Sequence, residues 1–289
     1  MELGCTSQVE HIIETGDAQP IKRTPYRTPH ALKPVVEEHI DDMLHKDIIE
    51  SSMSPWSSSI VLVQKKSNDG SIKYRFCVDY RALNAATKPD SYPITNITDT
   101  LDSLGYKKIF TVLDMASGYH QIPIKPEYKE KTAFSCHRGH VQFIKMPLGL
   151  NNAPATYQRC IDVIVMGLKG IDCLAYLDDI ICFSATMEEH AQKLRKIFER
   201  VEQANFKIQP EKCVFATDTV EYLGHICTPL GIRPDPRKIQ AIVEYPVPKT
   251  VKDIRSFIGL VGYYRRHVPN FAKFAQPLTN LTKKNAPFI

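Results

Sequence analysis

Three features of the sequence predict an α+β fold. Short apolar runs at 60–63, 74–78 and 109–114 have strand length rather than helix length. Between them lie stretches with helical spacing, clearest at 187–204, where Leu194, Ile197, Phe198 and Val201 form one apolar stripe. From Pro234 the texture changes to a proline-rich segment and then to helices, so 231–289 reads as a separate small helical unit.

Taken in order, residues 1–31 lack apolar periodicity. Pro20, Pro25 and Pro29 predict an extended arm with Lys22, Arg23 and Arg27 as basic points along it. Residues 32–49 read as a helix through Leu32, Val35, Val36, Ile40, Met43 and Leu44, with Pro34 tolerated in the first turn. The strands 60–63 and 74–78 flank Asn68-Asp69-Gly70, a strong hairpin signal. Lys65, Lys66, Lys73 and Arg75 make that hairpin basic enough to grip a triphosphate, although a solvated hairpin is the ordinary alternative.

Residues 94–104 read as a helix capped by Thr95 or Asn96 and stopped by Gly105. The strand 109–114 closes on Asp114. It is followed by the small residues Ala116, Ser117 and Gly118, where backbone N–H groups can face an anion, and by Tyr119 and a strand-like 120–124. Residues 132–144 read as strand, turn and strand around Arg138 and Gly139. Gly149 precedes a helix starting near Ala153 or Pro154 and running through Tyr157, Ile161, Ile164, Val165 and Leu168. Short strands fill 213–227. Beyond them a helix at 250–266 carries Arg255, Gly259 and Tyr263 on one face, which reads first as ordinary packing and second as a track for a polyanion, and another helix starts near Phe271.

The chemistry centres on 173–183, where Asp178 and Asp179 sit between two apolar runs. Adjacent residues of a strand point to opposite faces, so both acids reach one site only at a turn, and 177–180 reads as a hairpin tip. Carboxylates in apolar surroundings need positive compensation, and no Lys or Arg lies near them in sequence. A divalent cation meets that need, with Asp114 as a third acid at another strand end; taken alone, the pair reads equally well as a solvated hairpin tip. Such a set can hold two Mg²⁺ about 3.5–4 Å apart, one activating a hydroxyl and one neutralising a triphosphate.

Size and composition agree. The chain has 289 residues, 43% of them hydrophobic, enough for one large domain or two to three subdomains. A net charge of +5 and a pI of about 8.6 suit a polyanionic partner without requiring one. Eight cysteines stand singly, with no metal-finger spacing and no secretory signal, which predicts reduced thiols inside a cell. No apolar run approaches the roughly 18 residues of a membrane span.

Seven ordered motifs then resemble one family. Tyr176-Leu-Asp-Asp179 resembles the YxDD signature of reverse transcriptases, and 110–122 (Phe-Thr-Val-Leu-Asp-Met-Ala-Ser-Gly-Tyr-His-Gln-Ile) resembles their first aspartate motif. Val78-Asp-Tyr-Arg-Ala-Leu-Asn84, Met146-Pro-Leu-Gly-Leu-Asn-Asn-Ala-Pro154 and Tyr222-Leu-Gly-His225 match three more. Val261-Gly-Tyr-Tyr-Arg-Arg266 with Pro269-Asn-Phe271, like His11-Ile-Ile-Glu-Thr-Gly-Asp17, resembles gypsy-type LTR retrotransposons.

The resemblance implies a right-hand polymerase fold. It divides the chain into an arm (1–31), fingers (32–88 and 122–152), a palm of antiparallel sheet backed by helices (89–121 and 153–230) and a thumb (231–289). Asp114, Asp178 and Asp179 would be both catalytic and metal carboxylates for two Mg²⁺, with Mn²⁺ as the alternative. Lys66 or Lys65, with Arg75, would hold the triphosphate. Ser117 and Gly118 would offer it N–H groups, and Tyr119 would lie under the sugar. Gly149 would contact the template–nucleotide pair. Leu223, Gly224 and His225 would form the primer grip, and Arg255, Gly259 and Tyr263 would follow the minor groove. Leu148 departs from the pattern: retroviral relatives have Gln there and gypsy relatives commonly Phe, so any polar contact at that point must come from backbone.

The implied partners are an RNA or DNA template with primer and deoxynucleoside triphosphates. The parent polyprotein would also carry protease, RNase H and integrase segments, and the setting would be a cytoplasmic virus-like particle with no membrane contact. Two rival functions are a catalytically silent, host-retained nucleic-acid-binding remnant and a two-metal nuclease. Retention of all three acids opposes the first, and the basic hairpin and thumb oppose the second.

Overall fold

A computed structural model describes residues 3–66, 72–105, 107–284 and 286–287. The arm is not free. Thr6 N–H donates to Gln121 O (2.9 Å) and His11 N–H to Pro123 O (2.8 Å), while His11 and Ile13 are buried. Further on, Lys22 bridges Ser57 as a short parallel strand.

After the arm come α1 (Lys33–His45), β1 (Ile49–Ser51), β2 (Ser58–Lys66), β3 (Ile72–Asp79) and α2 (Arg81–Ala86). The predicted helix 32–49 therefore ends early. Asp47 turns left-handed at φ +50°, and Ile48 and Ile49 leave helical spacing to enter the core. The Asn68-Asp69-Gly70 tip lies outside the described residues. Next are α3 (Ile97–Asp102) and β4 (Ile109–Asp114), then β5 (Phe134–Cys136) and β6 (Gly139–Phe143). Asn96 caps α3 by accepting from Thr98 N–H at 2.9 Å, and the helix stops at Asp102, short of Gly105. The strand expected at 120–124 is instead a 3₁₀ turn, Gly118–Gln121, because Ser117 at φ +47° reverses the chain directly after β4.

The second half comprises α4 (Ala153–Ile164), β7 (Cys173–Tyr176), β8 (Asp179–Ser184), α5 (Met187–Gln203), β9 (Val214–Thr217), β10 (Val220–Tyr222), β11 (His225–Thr228) and β12 (Gly231–Pro234). Three helices finish the chain: α6 (Pro236–Val243), α7 (Val251–Gly262) and α8 (Phe271–Leu281). Helix α4 ends at Ile164 rather than Leu168, and α7 at Gly262, where a 3₁₀ turn follows. Residues 231–234, expected with the terminal helices, pair with β11 instead.

Three sheets result: β1-β6-β5-β2-β3, β7-β8-β4-β9 and β10-β11-β12. In the second sheet every pairing is antiparallel. One of its faces is Ala175, Ile180 and Cys182, buried in the main core with Tyr157 and Ile161 of α4 and Ile197 and Val201 of α5. The other buries Phe110, Leu174 and Ile181 against Leu101 and Leu104. Covered on both sides, the sheet is a stiff platform whose β4 and β7–β8 ends carry the acids.

Candidate active site

Strand register brings the acids together. Asp114 ends β4 directly opposite Asp179, the first residue of β8. Tyr176 pairs with Asp179, so the turn consists of Leu177 and Asp178 alone, tighter than the 177–180 tip expected from sequence. Burial, then the neighbouring charges of Asp114, Asp178 and Glu221, pushes the Asp179 carboxyl up to about 6. Asp178 is also raised, by burial first and by Asp114, while Tyr157 and Lys212 favour its charged form. Even so, neither Tyr157 Oη nor Asp178 Oδ1 completes a hydrogen bond, and both atoms are buried. Among the described residues the carboxylates do not close into a three-ligand cluster. Lys212 Nζ lies 3.5 Å from Asp114 Oδ1. A nearby cation thus exists after all, delivered by the turn before β9.

The 116–119 turn forms the wall beside Asp114. A Cβ on Gly118 would come within 2.8 Å of Tyr157 Cζ, so only glycine lets α4 approach so closely. Tyr119 stacks on Tyr157 (4.9 Å between centroids, 12° between planes). Burial and the Asp178 charge raise its phenol to about 12. Opposite, Gly149 stands at φ +97° and its carbonyl accepts from Asn84 Nδ2 at 2.8 Å. The Leu148 side chain beside it is 57% exposed, an apolar surface offered to the site.

Three clefts meet here. The largest, about 930 Å³, has Lys65, Lys73 and Arg75 along one wall and Ser117, Leu148 and Gly149 along another. In register, Lys65 pairs with Lys73 and Val63 with Arg75, which puts all three cations on one face of the hairpin. Lys65 therefore lines the cleft; Lys66 is the next position, and its side chain lies outside the described residues. A second cleft of about 260 Å³ joins Asp114, Asp178, Gly118, Tyr119 and Lys212. A third, about 360 Å³, runs from Asp114 and Asp179 to Leu223 and Gly224.

Leu223 (φ +47°) and Gly224 (φ +68°) form a left-handed turn between β10 and β11. Tyr263 Oη donates to Leu223 O at 2.7 Å and Tyr264 Oη to Gly224 O at 3.3 Å. His225 points inward; its ring lies 5.6 Å from Tyr263 and 5.3 Å from Tyr264. Of the three residues expected on one face of α7, Gly259 faces open space. Arg255 donates to Thr282 O at 3.3 Å, and Tyr263 is committed through its hydroxyl to the turn.

A family model for reverse transcriptase (RNA-dependent DNA polymerase) matches residues 63–227, more than half of the chain. The chain belongs to the reverse transcriptase family. It is 44% identical, over 98% of its length, to the retrovirus-related Pol polyprotein from transposon 297 of Drosophila melanogaster. To that from transposon gypsy of the same organism it is 38% identical over 94%. It spans 27% and 26% of those two relatives, respectively. The foamy viral protease-reverse transcriptase solved with an RNA/DNA hybrid superposes at a TM-score of 0.83 and 25% identity, over 97% of this chain and 37% of that one. The right-hand fold and gypsy-type kinship expected from the motifs agree with these matches.

Three residues of the site had no sequence signal of their own. Lys212 reaches Asp114 only through the fold. Tyr157 reads as an ordinary core aromatic on α4. Asn84 lay inside a matched motif without an assigned task, yet it holds the Gly149 loop from both sides, because its Oδ1 also accepts from Asn151 N–H at 2.9 Å.

Proposed function

We propose that this chain copies an RNA template into DNA, adding deoxynucleotides to a primer 3′-hydroxyl. The observation that carries this reading is a run of three adjoining clefts: a basic one that shares Ser117 and Leu148 with an acidic one, which in turn shares Asp114 with one leading to the Leu223–Gly224 turn. A triphosphate, a reactive centre and a primer end need that order of surfaces. The relatives named above are Pol polyproteins, and the fold neighbour was solved on an RNA/DNA hybrid.

Reverse transcriptases generally use divalent metal ions, and the acids fit such ions. Asp178 Oδ1 is buried without a partner, and Asp179 is pushed up to about 6 by burial first and then by its acidic neighbours, a pattern that cation binding relieves. Asp114, Asp178 and Asp179 would hold two Mg²⁺, which would favour ionisation of the 3′-hydroxyl and neutralise the triphosphate. Lys65, Lys73 and Arg75 bind the triphosphate as charge partners, and the Ser117–Gly118 backbone borders it. Tyr119, stacked on Tyr157, carries the sugar. Gly149, tied back by Asn84, lets the template–nucleotide pair approach. Leu223 and Gly224 seat the primer end, and the exposed face of α7 follows the duplex.

The chain would act as the polymerase segment of a longer Pol polyprotein, beside protease, RNase H and integrase, in a cytoplasmic particle. Among the described residues, no helix is long and apolar enough to cross a membrane. The decisive experiment is extension of oligo(dT) on poly(rA) with dTTP and Mg²⁺. Product is expected from the wild type and none from Asp114→Asn or Asp178→Asn, both folded. Activity in both variants above a few per cent of wild type would sink the metal assignment. A folded wild type that binds primer–template and makes no product would favour the silent remnant.

A further inference from the structure

We propose that Gln158 is a positioning residue for the catalytic hairpin, at the buried head of a relay that runs from Lys169 through Asp162 to the Leu177 N–H. The proposal rests on the polymerase reading above and concerns what holds Asp178 and Asp179 in place.

The hairpin tip is strained. Leu177 sits at φ +49°, the first position of a two-residue turn, where glycine is the usual occupant. An L-side chain there crowds its own carbonyl, so the turn needs an outside hold. Helix α4 supplies it. Gln158, fully buried, accepts from Leu177 N–H through Oε1 at 2.8 Å.

The amide cannot present its other face. Its Nε2 donates to Asp162 Oδ1 at 3.0 Å, one helical turn along, and lies 3.5 Å from Ala175 O. A carboxylate accepts only, so Asp162 fixes which end of the Gln158 amide faces the hairpin. Asp162 is fixed in turn: Lys169 Nζ donates to Oδ1 at 2.6 Å and Tyr92 Oη to Oδ2 at 2.9 Å. A network with its donors and acceptors matched, buried at Gln158 and partly buried at Asp162 and Lys169, is stiff, and stiffness is what two adjacent metal carboxylates need from their support.

None of Gln158, Asp162 or Lys169 lines the three clefts, so the relay touches neither nucleotide nor primer. Its effect passes through the Leu177 peptide to the two residues that follow. Loss of the amide should loosen the carboxylates relative to Asp114 and weaken metal binding, without changing the basic wall that meets the triphosphate.

The test compares wild type, Gln158→Met, which keeps the volume and removes the amide, and Lys169→Met, which keeps the amide and removes the anchor of Asp162. Mn²⁺ binding by electron paramagnetic resonance, the Mg²⁺ half-saturation of dTTP incorporation and the melting curve are measured for each. Gln158→Met should need about five- to tenfold more metal in both metal assays, the scale of one lost hydrogen bond. KM for dTTP at saturating metal should stay as in wild type. Lys169→Met should shift the same way by less. Wild-type metal dependence in both variants, with any loss of activity following loss of folded protein, would show that the relay only packs the core. If Gln158→Met does not fold, Lys169→Met decides the matter alone. A wild type that binds no Mn²⁺ refutes the polymerase reading. A wild type that binds it no better than both folded variants refutes the relay and leaves that reading standing.

Discussion

Replacing Asp179 by asparagine should stabilise the protein when metal is withheld. Its carboxyl rises from 3.8 to about 6, through burial first and then through Asp114, Asp178 and Glu221. A carboxyl raised by folding stabilises the protein below its unfolded value, and that contribution disappears as pH climbs past the folded one. The window is therefore pH 3.8 to about 6, and at neutral pH the ionised group is a net cost. At full weight the rise corresponds to about 3 kcal/mol. The group is only half-buried, and solvent screening brings this to about 1–2 kcal/mol. For a chain of this size that is roughly 2–4 °C in melting temperature. The assay is calorimetry at pH 7.5 in EDTA, repeated down to pH 5. Asp179→Asn should melt higher at pH 7.5, and wild type should gain on it as the pH falls. Added Mg²⁺ should stabilise wild type and leave the variant nearly unmoved. A variant that melts lower in EDTA, with a pH profile parallel to wild type, would refute the claim that these acids strain one another.

Two further outcomes are expected. Tyr119→Val should admit ribonucleotides: a clash worth roughly 3–4 kcal/mol at C2′ gives two to three decades of selectivity, read as the ratio of kcat/KM for dTTP and UTP. If Tyr119 serves only to pack on Tyr157, both nucleotides will lose rate in proportion. Arg255→Ala should weaken primer–template binding alike for all sequences and flatten the salt dependence by about one unit. If the Arg255 bond to Thr282 O is its whole purpose, affinity will fall with the slope intact and the melting temperature will drop.

What the sequence discloses follows from the range of the interactions. The hairpin around Asp178 and Asp179, the strand ending in Asp114 and the amphipathic helix α5 are set by local periodicity and by turn chemistry, and they stand within a residue or two of expectation. The resemblance implies that Asp114, Asp178 and Asp179 act together, but the register that pairs Asp114 with Asp179 is not legible, since nothing local joins positions so far apart. Left-handed residues without glycine were not readable. Asp47, Ser117 and Leu177 each take φ near +50° because tertiary packing holds them there, and they moved a helix end, replaced a strand by a turn and tightened the hairpin. Lys212 belongs to the same class: an exposed-looking lysine whose partner is nearly a hundred residues earlier. Tyr263 belongs there too: helical spacing places it on a face with Arg255 and Gly259, and only the fold commits its hydroxyl to Leu223 O.

The order of strands in the acid-bearing sheet, β7-β8-β4-β9, has a consequence for how the protein comes to exist. Strand β4 is central, yet both its neighbours are made later, β8 more than sixty residues downstream and β9 more than ninety. During synthesis the first aspartate strand leaves the ribosome with no edge to pair against. Its apolar residues Phe110, Val112 and Leu113 must wait for the second half of the chain. Such distant pairings are slow to close and leave an unpaired edge exposed meanwhile. The arm adds to the delay, since Asn205 Nδ2 donates back to Cys5 O. Fragments that stop before residue 217 should therefore be insoluble more often than merely inactive, and slower translation through 185–217 should raise the risk of aggregation. The acids come together late because they lie where the two halves of the chain are sewn together.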